Sequence, residues 1–288
     1  MQTRSLETLV RIYEVQSFSK AAELRGMTLS ALSMQMKSLE LELDAELFDR
    51  TFRPPKLTPL GRMVAERAQS LIREERALVG LCGASSPLSG VFQVGFVQSA
   101  SVRILPSFVK LATGQAPKAR FRFSSGLSEV LEEQVASGQI DCAVITRVGQ
   151  PEQLLRYDLI ASEVMSIAAP ADCEGLSDVA LSNKLPFIHF RPSTGIGKLI
   201  ASFFENSQPS PFPPLVLDGI EACMECVKAG LGYTILPRPD INRYADKHVA
   251  IIEVDTRPIS RDLVLVSRRS EPNPQWVEAL CKLLVKAS

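Results

Sequence analysis

Apolar residues recur at helical spacing from the start of the chain. Leu6, Leu9, Val10 and Tyr13, with Ile12 less cleanly among them, predict an amphipathic helix ending near Gln16. Ser17 and Ser19 are N-cap candidates for a second helix through Ala21, Ala22 and Leu24. Gly26 can stop that helix in a left-handed conformation, and Thr28 can cap a third. In the third, Leu32, Met36, Leu39 and Leu43 fall on one face, while Ser30, Ser33, Gln35 and Lys37 lie largely elsewhere. Further on, Thr58 can cap and Pro59 can open a longer helix. Its stripe runs through Leu60, Met63, Val64, Ala68, Leu71, Ile72, Leu78 and Val79. From Pro59 to about Leu81 it would span roughly 33 Å at about 1.5 Å per residue. No neighbour in so small a domain is expected to cover that stripe, so pairing with the same helix of a second chain is the economical solution.

The rhythm changes after "GASSPLSG", residues 83–90, which reads as a hinge. Short apolar strands now alternate with helices, an α/β pattern. "VFQVGFV", "RFRFSS" and "DCAVIT" read as strands around the helices "SVRILPSFVKLA" and "LSEVLEEQVASG". "LPFIHF", "PLVLDG" and "GYTILP" repeat the scheme around "GKLIASFFE" and "IEACMECVKAG". Two similar lobes are expected, joined by crossings within "RYDLIASEVMSIAAP" and "IIEVDTRPISRDLVLVSRR". The last helix, "PQWVEALCKLLVKA", is expected to return to the first lobe.

Composition changes little in this picture. Hydrophobic residues make up 45% and charged residues 22% of 288 positions, and no run of 18 or more apolar residues is present. The amphipathic, acid-containing N-terminus is unlike a secretory signal, so a cytoplasmic protein with no membrane partner is expected. Cys82, Cys142, Cys173, Cys223, Cys226 and Cys281 are scattered through apolar contexts, as reduced thiols would be. The formal net charge is zero, so any phosphate-binding surface must come from local placement of cations.

Such placement is found early. Two helices on a tight turn form a helix-turn-helix, whose second helix enters a DNA major groove. After it, Leu47-Phe48 and Leu57-Thr58 read as short strands flanking a turn stiffened by Pro54-Pro55. Arg50, Arg53 and Lys56 make this a basic wing placed to meet phosphates. The expected DNA-contacting residues are Ser17, Ser19, Thr28, Leu29, Ser30, Ser33, Met34, Gln35, Lys37, Arg50, Arg53 and Lys56, and the expected partner is a double-stranded operator.

The run from Ser17 through Gly61 resembles the N-terminal domain of LysR-type transcriptional regulators. Their pattern SF-x-x-AA-x-x-L, a Ser-rich helix, LE-x-x-L, LF-x-R and LT-x-x-G is matched here. The matching residues are Ser17-Phe18, Ala21-Ala22, Leu24, Leu39-Glu40, Leu43, Leu47-Phe48-Asp49-Arg50 and Leu57-Thr58-Pro59-Leu60-Gly61. Where the family helix commonly opens Ser-Gln-Pro, this chain has Thr28-Leu29-Ser30, and Met34 replaces a commonly basic or polar position. Leucine can make only apolar contact, as with a thymine methyl, so the resemblance carries over the docking and leaves the half-site preference open. The resemblance implies a linker-helix homodimer, further assembly to a homotetramer, and a two-lobed effector domain like periplasmic binding proteins. "VKAGLG" leading to Leu236-Pro237 extends it, more weakly, along the C-terminal part. The expected organisation is thus a winged helix-turn-helix over residues 1–58, a linker helix and hinge over 59–89, and an α/β effector domain over 90–288. Its lobe I comprises 90–162 and 265–288, and lobe II comprises 163–264.

A cleft between two such lobes lies where strands end and helices begin. Helix N-termini there carry unpaired N–H groups that suit a carboxylate or other anion. Three junctions have the chemistry: Gln98-Ser99-Ala100-Ser101, Ser124 to Ser128, and Arg191-Pro192-Ser193-Thr194-Gly195. The resemblance puts Ser99, Ser128 and Thr194 where effector-contacting residues occur, with Thr146 near the first crossover. Capping of their own helices is the alternative role for these hydroxyls.

Other signals fall short. "TGIGKL" approaches a phosphate loop but has Pro192 and Leu199 where Gly and Ser or Thr are required. Cys223 and Cys226 form C-x-x-C inside a helix, without further metal ligands. His189 and His248 belong to no triad, and no cofactor or metal motif is present. The rival reading is a small-molecule binding protein or enzyme whose N-terminal helices serve oligomerisation alone. Such a module has no need of a basic wing.

Overall fold

The computed structural model describes residues 2–83, 87–204, 214–254 and 258–288. Residues 84–86 of the expected hinge, Glu205 at the expected end of one helix, and residues 255–257 of the second crossing lie outside the described residues. The chain divides into two compact units, Met1–Ser85 and Ser86–Ser288.

The first unit holds helices α1 (Thr3–Val15), α2 (Phe18–Leu24), α3 (Leu29–Leu43) and α4 (Pro59–Gly83), with strands β1 (Phe48–Asp49) and β2 (Lys56–Leu57). Its core gathers Leu6, Leu9, Ala21, Ala22, Leu32, Met36, Leu39 and Leu47. Between its two candidate caps, α2 uses Ser17, which accepts from Lys20 N, and Thr28 caps α3 by accepting from Ala31 N. Gly26 bridges them at φ 64°. The wing strands sit one residue off the expected positions. Leu47 donates its N–H to Glu40 instead of to a strand partner, and Thr58 caps α4 by accepting from Gly61 N.

The long helix is only partly as expected. Its stripe has a neighbour within its own unit: α1 packs along α4, burying Ala65, Ala68 and Ile72, while Tyr13 donates to Glu66. A neighbouring row, Leu60, Met63, Leu71 and Leu78, stays exposed.

The second unit runs β3 (Gly90–Phe96), α5 (Gln98–Gln115), β4 (Ala119–Ser125), α6 (Ser128–Ala136), β5 (Cys142–Thr146) and the long β6 (Leu155–Pro170). It continues with α7 (Asp178–Lys184), β7 (Ile188–Phe190), α8 (Gly195–Phe204), β8 (Leu215–Leu217), α9 (Ile220–Lys228), β9 (Thr234–Pro237), α10 (Arg238–Tyr244), β10 (Val249–Ile252), β11 (Ser260–Arg268) and α11 (Pro274–Ala287). Strands β4, β3 and β5 are parallel neighbours, and β11 joins β5 to β6 antiparallel. Strand β6 then leaves β11 and pairs with β9 and β10, so one strand serves both lobes. Two hydrophobic cores result. One centres on Phe96, Ile104, Phe108, Val144 and Leu280, the other on Ile167, Ile188, Ile200, Met224 and Ile235. Leu263 and Val264 already pack in the first core, so the return crossing falls slightly before residue 265. The short α7, α10 and β10 carry too few periodic positions to be legible as elements.

Candidate functional site

On α3, Leu32, Met36 and Leu39 face the core. Leu29, Ser30, Met34 and Lys37 are exposed, with Met34 at 69%, and Ser33 is half-buried between the two faces. Gln35 is also half-buried, and its Oε1 has no hydrogen-bond partner among the described residues. Ser17 and Thr28 are caps, and Ser19 is exposed on α2.

The wing departs from a plain trio of cations. Arg50 Nη2 pairs with Glu40 Oε2 at 2.6 Å, so its charge is partly answered within the unit. Glu40 Oε1 accepts from the N–H groups of Leu47 and Phe48 at 2.9 and 3.0 Å. Glu40 therefore ties the third helix to the start of the wing, a role the sequence pattern left unassigned. Arg53 is exposed, and Lys56 Nζ stands 4.4 Å from the Phe52 ring centre. Gly61 completes the assembly. A β-carbon there would overlap the Leu47 carbonyl oxygen, so only glycine lets α4 begin so close to the wing.

In the second unit a cleft of about 210 Å³ opens between the lobes. It meets the N-termini of three helices: Gln98-Ser99 of α5, Leu127-Ser128 of α6, and Thr194-Gly195-Ile196 of α8. Val97 and Leu127, the N-caps of α5 and α6, supply no side-chain cap, so their first-turn N–H groups lack that partner. Of the expected residues, Ser99, Ser128, Thr146, Arg191 and Thr194 line the cleft. Ala100, Ser101 and Ser193 do not. Ala100 is wholly buried, Ser101 donates to the Gln98 carbonyl, and Ser193 accepts from Arg191 Nε. Thr194 is mainly a cap, accepting from Gly197 N and donating to the Arg191 carbonyl. Ser128 Oγ is buried without a partner among the described residues. Gln98 and Ser125 of the expected junctions also line the cleft, together with Phe190 and the exposed Asp218, which the sequence did not announce.

Two features mark the close approach of the lobes. Lys198 of α8 forms an ion pair with Glu129 of α6. Gly195 lets α8 approach β5: a β-carbon there would lie 2.6 Å from Thr146 Cβ.

Beneath the cleft sits a charged cluster that no spacing rule announced. Arg261, fully buried on β11, pairs with Glu163 of β6 and Asp240 of α10. Arg103 of α5 pairs with the same two acids. Burial pushes the Asp240 carboxyl up from the usual range, against the pull of Arg261 and Arg103.

Residues 3–62 match the family of bacterial regulatory helix-turn-helix proteins, lysR family, and residues 85–288 match the LysR substrate binding domain. The chain belongs to the LysR family. This LysR-type protein is 27% identical to the HTH-type transcriptional regulator EstR of Acinetobacter baylyi, over 98% of this chain and 95% of EstR. It is 25% identical to the DNA-binding transcriptional dual regulator OxyR of Escherichia coli, over 99% and 95% respectively. Full-length OxyR from Pseudomonas aeruginosa superposes with a TM-score of 0.78 at 21% identity, over 99% of this chain and 94% of that one. The LysR-type chain is a DNA-binding transcriptional regulator with an effector-binding domain, and not an enzyme.

No described cysteine of this regulator lines the cleft. Burial pushes the Cys223 thiol up to about 12, with Cys226 adding to it, and raises Cys142 and Cys173 as well. Thiolate, the reactive form, is therefore disfavoured at Cys223 at neutral pH. Native protein exposed to dilute peroxide should therefore retain Cys223 as thiol, counted by mass spectrometry after quenching. Rapid oxidation at that residue would contradict the burial argument. His189 is held through Nδ1 by the Phe190 carbonyl at 2.8 Å and stays outside the cleft lining.

Proposed function

We propose that this regulator reads an operator with α3 and the wing, as a homodimer that assembles further to a homotetramer, and responds to a small carboxylate or other anion. The observation that carries the effector reading is the convergence of three helix N-termini and several hydroxyls on one cleft. Arg191 adds a cation, and Asp218 on the rim suits a donor at the effector's far end. Exposed Leu60, Met63, Leu71 and Leu78 support pairing through α4. Acting on chromosomal DNA, the protein works in the cytoplasm, and among the described residues no helix is long and apolar enough to cross a membrane. The division at 1–58, 59–89 and 90–288 belongs to the same reading. An effector touching both lobes favours one closure, and the linked dimer geometry then alters operator affinity by that differential affinity.

Calorimetry of the full chain with acetate, propionate and benzoate, each beside its primary amide, tests the effector reading. Binding of a carboxylate with no binding of its amide supports it, and preference for the amide overturns it. For DNA, Arg53→Ala should weaken binding evenly across sequences and lower the salt slope by about 1. Loss of preference at a single base position would instead make Arg53 a base reader. Ser33, Gln35 and Met34 are the proposed readers, and a binding-site selection with each changed to Ala checks them.

A further inference from the structure

Arg261 is hidden under the cleft, and its hydrogen bonds set the polarity of the surface above it. Nη2 donates to Ser99 Oγ at 2.6 Å, and Nε donates to Thr146 Oγ1 at 2.9 Å. Nη1 is shared by Glu163 and Asp240 at 3.4 and 3.2 Å. The fork thus reaches α5 and β5 of one lobe, α10 of the other, and the crossing strand β6.

A hydroxyl carries one donor hydrogen and two acceptor lone pairs. At both Ser99 and Thr146 the guanidinium takes one of the two acceptor positions. Neither hydroxyl donates to any partner among the described residues, and both line the cleft. Their hydrogens are left to point at whatever enters. The charge of Arg261 itself is answered: two arginines and two acids make the buried cluster neutral in sum. The cleft therefore receives two O–H donors from this cluster and not the bare charge of Arg261.

We infer that Arg261 is a positioning residue that fills one acceptor position of Ser99 and of Thr146 and leaves both hydroxyl hydrogens to the cleft, favouring an effector with an acceptor group, a carboxylate or similar oxyanion, over one presenting N–H. This rests on the effector reading above and assigns its selectivity to a residue that cannot touch the ligand. Lysine would keep the charge but cannot bridge both hydroxyls, because an ammonium lacks the planar fork.

The test is calorimetry of the full-length protein with the same carboxylates and amides. Arg261→Lys should bind the best carboxylate about tenfold more weakly, with amide binding unchanged or stronger, because two oriented hydrogen bonds are loosened. Should that variant not fold, Arg261→Gln combined with Asp240→Asn removes one opposite-charge pair and leaves Arg103 with Glu163. The same collapse of the carboxylate-to-amide ratio is expected. A merely structural role would lower stability and leave the ratio in place, and a folded variant of unchanged ratio overturns the inference. Wild-type protein indifferent to every carboxylate would end the effector reading and this inference together. A selective wild type with equally selective variants would end this inference alone.

Discussion

Gly195→Ala should weaken binding of the best carboxylate about thirtyfold while leaving operator affinity without ligand within about twofold. The added β-carbon would lie 2.6 Å from Thr146 Cβ, 2.9 Å from its Cγ2 and 3.3 Å from its carbonyl oxygen. Real β-carbons do not tolerate such approaches, so α8 must draw back from β5. Over-filling a packed contact typically costs about 1–3 kcal/mol, and about 2 kcal/mol corresponds to that thirtyfold. The cost falls on the closed arrangement because Gly195 stands on one lobe and Thr146 on the other. Calorimetry gives the ligand affinity and fluorescence anisotropy the operator affinity. Equal losses in both would show a folding defect, and no loss in either would show that the lobes do not work at this separation.

Glu40→Ala should detach the wing and cost operator affinity more than tenfold. The carboxylate accepts from the N–H groups of Leu47 and Phe48, both residues buried, and its second oxygen holds Arg50. Alanine leaves two buried donors unanswered, about 3 kcal/mol for the pair. Hydrogen exchange at those two amides should accelerate roughly a hundredfold, a local readout that global stability does not mimic. Glu40→Gln retains an acceptor oxygen while losing the ion pair, so it should cost about 1 kcal/mol and keep most of the protection. Exchange unchanged in the alanine variant would mean that the wing is held by Phe48 and Leu57 packing alone.

These two residues show how differently the chain discloses its parts. Glu40 lies in a motif that was legible, Leu39-Glu40 followed by Leu43, yet its task was not. A glutamate on an otherwise solvated helix turn looks like any other surface charge until the wing is folded back upon it. The same holds for Arg50, read as a phosphate contact but paired with Glu40. Gly195 belongs to a failed phosphate-loop pattern and to a strand-to-helix junction, and only the neighbouring lobe reveals why a side chain is forbidden there.

What the sequence settled alone is local or periodic. Thr28 and Thr58 announced helix starts because a cap bonds its own first turn. Leu32, Met36 and Leu39 announced a buried face because helical spacing repeats over a few residues. Alternating strands and helices announced the α/β part, since each element carries its own pattern. Contacts between elements distant along the chain were decided by tertiary structure. The α1 helix covers part of the α4 stripe, Ala100 and Ser101 turn away from the cleft that Ser99 enters, and four charges from α5, β6, α10 and β11 meet beneath it. No periodicity encodes such meetings, because a single arginine in a strand has the same sequence signature whether it faces water or three other charges.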